Sequence, residues 1–95
     1  MTALPDGVAT ELTRLVRRWH LLPLDQAVAF SPALRALIER YAALVHPDVA
    51  VPDLGPAVVA DQMTVVTYDA LLAGVLTAGV AEADLVRLRH TLAGG

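Results

Sequence analysis

The sequence predicts an all-α domain of four to five helices, arranged around a long and largely apolar fourth helix at about residues 57–78. Three observations predict this class. Apolar residues recur at helical spacing in most segments, and residues 47–56 form the one clearly non-helical stretch. Hydrophobic residues make up 56% of the 95 residues, which exceeds what a small monomer usually needs. We therefore expect a single helical domain over 1–95 that buries further surface by association.

The first helix should begin at Gly7 or Val8, with Asp6 as its N-cap. Its apolar face carries Val8, Leu12, Leu15, Val16 and Trp19, and its other side carries arginines. Pro23 should end this helix and open a short second one at about 24–30. Ser31 then predicts an N-cap before Pro32, so that a third helix starts there and stops by His46, since Pro47 follows. Its predicted face is Leu34, Leu37, Ile38, Tyr41, Leu44 and Val45.

Residues 47–56 contain three prolines and predict a connecting loop rich in proline and aspartate. Asp48 and Asp53 should close turns in this loop. Three apolar loop residues are expected to lie over the core as a strap: Val49, Val51 and Leu54. After the fourth helix, Gly79 predicts a left-handed C-cap. A last helix follows at about 82–92 with a buried stripe of Leu85, Leu88, Leu92 and Val86, and 94–95 form a loose tail.

The fourth helix has two apolar faces, which predicts two partners. Ala70, Gly74 and Ala78 stand four residues apart, and small residues at this spacing let another helix approach closely. Leu72 and Val75 would fill the contact. The predicted function is thus a non-enzymatic protein–protein interaction or oligomerisation module, with a homodimer held together at these five residues.

Composition excludes several classes of chemistry. The chain has no cysteine, which removes thiol catalysis, zinc thiolate sites and disulfides. Its net charge of −3 argues against a general nucleic-acid binder held by phosphate contacts. Asp69 interrupts the apolar run at 63–80, so no membrane span is expected.

The start of the chain has no secretory pattern, which indicates a cytoplasmic protein. Seven arginines without lysine are typical of a GC-rich, bacterial genome.

Candidate catalytic and ligand residues are few. His20, His46 and His90 each fall at an expected helix end, where an imidazolium caps free carbonyls. No metal-ligand spacing or phosphate-binding loop is present, so neither metal nor cofactor is expected. A weaker alternative is a small ligand-binding or enzymatic subunit that uses Asp69 and Tyr68, because a carboxylate in apolar surroundings would have unusual protonation.

Two family resemblances follow from short segments. Residues 26–38 resemble a helix-turn-helix in which Ser31-Pro32 opens the recognition helix, although the glycine-containing turn is missing. This resemblance implies a DNA-binding regulator as the alternative function, with nucleic-acid contacts at Arg14, Arg17, Arg18, Arg35 and Arg40. The acidic, helical character is similar to that of acyl carrier proteins, but Ser31 stands between Phe30 and Pro32 instead of in an Asp-Ser-Leu site. Neither resemblance identifies a family.

Overall fold

The computed structural model describes residues 4–94, with side chains described as far as Leu92. Four α-helices run in the order α1 (Asp6–Leu21), α2 (Leu24–Val45), α3 (Val59–Leu72) and α4 (Ala78–Gly94). The described residues contain no strand, so the all-α class is confirmed. Helix α1 packs mainly against α4, and α2 packs mainly against α3. The fold is therefore two helix pairs that share one core, within 35 × 29 × 21 Å.

Helix α1 follows the predicted apolar pattern. Val8, Leu12, Leu15 and Trp19 are buried, while Val16 is half-buried against them. The helix begins one residue earlier than predicted, with Pro5 as its N-cap and no side-chain cap. The Pro5 carbonyl accepts the first helical hydrogen bond from the Ala9 N–H at 2.9 Å. The prediction of Asp6 as N-cap is wrong, but its carboxylate lies in the first turn, where the helix dipole favours negative charge.

Helix α2 is continuous across the break that Ser31-Pro32 predicts. The Ser31 hydroxyl donates to the Ala27 carbonyl at 2.9 Å, which is the bond of a residue inside a helix and not of an N-cap. Pro32 lacks an N–H and cannot bond the Val28 carbonyl, but Val28 is 56% exposed and water can reach that position. Burial on the opposite side holds the helix together: Ala27, Leu34, Leu37, Ile38 and Tyr41. The prediction of two separate helices is wrong.

The predicted fourth helix at 57–78 is wrong in its length, because α3 ends at Leu72. Gly74 has φ 74°, a left-handed conformation that favours glycine. Its N–H bonds the Leu71 carbonyl at 3.1 Å, and the Val75 N–H bonds the Ala70 carbonyl at 3.2 Å. These two bonds define a Schellman motif. The helix terminator is thus Gly74 and not Gly79.

Helix α4 begins at Ala78, four residues before the predicted start. The Thr77 hydroxyl accepts the Val80 N–H at 3.3 Å, which satisfies one of the free donors of the first turn. Gly79 therefore lies inside α4. Of the predicted stripe, Leu85, Leu88 and Leu92 are buried, whereas Val86 is half-buried. Gly94 belongs to α4, so the predicted tail is wrong at that residue, and Gly95 lies outside the described residues.

The connection between α2 and α3 is held by hydrogen bonds to its carbonyls. Arg35 donates to Val51 at 3.1 Å and to Pro52 at 3.2 Å, and the Trp19 indole N–H donates to Pro56 at 2.8 Å. Asp53 closes a turn by accepting the Gly55 N–H at 3.0 Å, as predicted. Of the three strap residues only Val51 packs on the core. The strap prediction is wrong for the other two, Val49 and Leu54, because polar bonds, not apolar contacts, hold the loop.

Candidate functional site

The predicted interface groove does not exist as one surface. Ala70 is fully buried in α3, Gly74 lies in the turn, and Ala78 is the first residue of α4. A Cβ added at Gly74 would meet nothing within 4 Å, so this glycine serves backbone geometry and not a close helix approach. Leu72 and Val75 are about half exposed at this turn. The prediction of a small-residue groove is wrong because α3 ends at Leu72, between Ala70 and Gly74.

A different apolar surface runs along the outside of α2. Leu24, Val28, Pro32 and Ala36 stand four residues apart and are all exposed, and we call them the α2 stripe. Leu24 is 72% exposed. At 1.5 Å per residue, the stripe is about 18 Å long. Its spacing is visible in the sequence, but the predicted break at Ser31 divided it between two helices.

Two open grooves adjoin the α2 stripe. The first has a volume of about 580 Å³ between α2 and the 53–59 segment. Its lining is Val28, Ser31, Pro32, Arg35, Ala36, Glu39, Asp53, Gly55, Pro56 and Val59. The second, of about 340 Å³, includes Leu24 and Leu54. Both grooves share Gly55 and Pro56, so stripe and grooves form one continuous, largely apolar surface.

Two buried carboxylates link helices to one another, Asp84 between the two helix pairs and Glu11 within the α1–α4 pair, and neither was predicted as buried. Asp84 accepts a hydrogen bond from the Tyr41 hydroxyl at 2.7 Å and another from Arg40. Burial raises the pKa of Tyr41, and the Asp84 carboxylate raises it further, while Arg40 acts in the opposite direction. The phenol is therefore held neutral, as a donor. This contact joins α2 to α4.

Glu11 joins α1 to α4 in a similar way. One carboxylate oxygen accepts from Arg14 Nη1 and the other from Arg89 Nε, each at 3.0 Å. Glu11 lies three residues after Val8 and four before Leu15, so it falls within the buried face of α1. The helical wheel could have predicted its burial, and the same spacing holds for Asp84 between Ala81 and Leu88.

The five arginines predicted to contact nucleic acid are divided between separate surfaces. Arg35 bonds Glu39 and the loop carbonyls, and Arg40 pairs with Asp84 and lies over the Tyr41 ring. Arg14, Arg17 and Arg18 instead meet Arg89 around one pocket. Because α2 is continuous through 26–38, the helix-turn-helix geometry is absent from that segment.

The remaining candidates lie apart from one another. Asp69 is exposed, so it does not lie in the apolar surroundings on which the alternative of a site with Tyr68 depends. His20 is in the last turn of α1 and His46 is the C-cap of α2, as predicted. The prediction that His90 lies at a helix end is wrong, because α4 continues to Gly94. Within the described residues, no group of three His, Asp or Glu side chains is placed to hold a metal ion.

Comparisons with family models, curated proteins and solved structures found no match to this chain. Among the described residues, no helix combines the length and apolar content needed to cross a bilayer.

Proposed function

We propose that this chain is a non-enzymatic protein–protein interaction module that forms a homodimer through the α2 stripe and acts in the cytoplasm. The observation that carries the proposal is the run of four exposed apolar residues along the outer face of the longest helix. A soluble monomer rarely leaves such a continuous apolar surface open. The hydrophobic content of 56% supports the same conclusion, since a domain of this size has a thin core of its own.

The sizes of the stripe residues favour an antiparallel arrangement of two copies. Large residues occupy one end, Leu24 and Val28, and smaller ones the other, Pro32 and Ala36. A two-fold axis at the level of residue 30 sets Leu24 against the second copy's Ala36 and Val28 against its Pro32. Each large side chain then meets a small one, as close helix packing requires.

The experiment compares Val28→Glu with Val65→Glu by light scattering or sedimentation at about 100 µM, where micromolar complexes are assembled. The two valines are matched, because Val28 is 56% and Val65 is 57% exposed on a helix. We expect the wild type and Val65→Glu to have the mass of a dimer and Val28→Glu that of a folded monomer, checked by circular dichroism. A monomeric wild type, or dissociation by Val65→Glu alone, would contradict the proposal.

A further inference from the structure

Four of the seven arginines surround one open pocket at the junction of α1 and α4. Arg14, Arg17, Arg18 and Arg89 line it together with Leu21, and its volume is about 340 Å³. Within the described residues the one carboxylate that contacts these arginines is Glu11. Four positive charges and one negative leave a local excess of three positive charges, in a chain whose net charge is −3. The pocket is therefore an isolated positive region on an acidic protein.

Glu11 fixes two of the four guanidinium groups. It is buried at 6% exposure and bonds Arg14 through Nη1 and Arg89 through Nε. Among the described residues neither arginine has another bonded partner, so their remaining N–H groups are available to a ligand. A planar guanidinium that is already held in position loses less side-chain entropy on binding than a mobile one.

Arg17 and Arg18 complete the pocket from α1. Both are exposed, and neither forms an ion pair within the described part of the chain. Together with Arg14 they stand at i, i+3 and i+4, so all three project from one side of the helix. Like charges this close repel one another, and the repulsion is relieved when an anion binds between them.

We propose that this pocket binds a small ligand that carries phosphate groups. Guanidinium groups bond phosphate oxygens in pairs, and four of them match a group with several negative oxygens. The volume lies at the lower end of the range for small-molecule sites. A nucleic acid would need an extended basic surface, but Arg35 and Arg40 are engaged elsewhere on α2. The site is independent of the α2 stripe, which shares none of its residues.

The test titrates inorganic pyrophosphate into the full chain by calorimetry at fixed ionic strength. The Arg17→Gln variant should bind about tenfold more weakly, because hydrogen bonds between a charged group and the ligand are lost. Arg87→Gln is the matched control, since Arg87 lies on α4 at 75% exposure, outside the pocket. We expect it to bind as the wild type does.

Three results would overturn the proposal. The first is a wild type that does not saturate with pyrophosphate. The second is an equal loss of affinity in Arg87→Gln, which would indicate unspecific charge attraction. The third is tighter binding of a short DNA duplex that pyrophosphate does not displace, which would favour a nucleic-acid surface. Thermal melting of both variants establishes that they are folded.

Discussion

At the scale of single residues, the hydrogen bond between Tyr41 and Asp84 has a measurable pH signature. Because burial raises the pKa of Tyr41, the folded state keeps a proton that the unfolded state loses near pH 10. Stability from this group is complete below about pH 10 and falls above it. From about pH 9 to about pH 11, we expect the wild-type free energy of unfolding to fall by about 1.4 kcal/mol more than that of Tyr41→Phe.

The second tyrosine supplies the control for this prediction. The chain has two tyrosines, and Tyr68→Phe should keep the wild-type fall because Tyr41 remains. Urea unfolding of the three proteins at both pH values measures the difference. At pH 7, Tyr41→Phe should lose about 1.5–3 kcal/mol, the worth of a hydrogen bond to a charged group. If the wild type and Tyr41→Phe changed in parallel with pH, the phenol would not be held neutral by its surroundings.

At the scale of elements, two glycines distinguish where α3 ends. Gly74→Ala forces a residue with a Cβ into φ 74°, at a cost of about 1–2 kcal/mol. Gly79 lies inside α4 with open space around an added Cβ, so Gly79→Ala should stabilise by about 0.5 kcal/mol. The melting temperature should fall in the first variant, by about 4–8 °C per kcal/mol, and rise slightly in the second. A higher melting temperature for Gly74→Ala together with a lower one for Gly79→Ala would contradict this boundary. That result would support a helix that continues to Gly79.

The same elements show how far the sequence determines this fold. Helical spacing was sufficient for most of the buried faces of α1, α2 and α4, because periodicity reports burial directly. Leu44 is the exception on α2, since it is 44% exposed. It failed at helix ends. Ser31-Pro32 is a typical start signal, but the buried residues on both sides of it outweigh the missing bond at Pro32. Gly74 and Gly79 both fit a cap by type, and only the backbone shows which one has positive φ.

The candidate sites depended on these same boundaries. The prediction of a small-residue groove was wrong because it required a helix that continues past Leu72. The α2 stripe was not recognised because the sequence predicted a helix break at Ser31. Arg89 was missing from the predicted basic set because it lies 71 positions after Arg18 in the sequence, and only the packing of α4 on α1 brings the two to one pocket. Contacts of this kind follow from tertiary structure and not from local pattern.

At the scale of the whole molecule, folding and association should be coupled. In each copy Glu11 links α1 to α4 within one helix pair, and Asp84 links that pair to α2. The α2 stripe takes part in neither contact. Covering the stripe removes apolar surface from water in the folded state only, so a dimer stabilises folded protein by mass action. The stability of the wild type should then depend on its own concentration.

A concentration series measures this dependence. Across a hundredfold range of protein concentration, the dimer gains about 2.7 kcal/mol, which is about 1.4 kcal/mol for each copy. For a domain of this size, that gain raises the wild-type melting temperature by several degrees. Val28→Glu should melt at one temperature throughout, because its copies do not pair, while Val65→Glu should follow the wild type. A wild-type melting temperature that stays constant over the whole range would mean that the α2 stripe is not buried by a second copy.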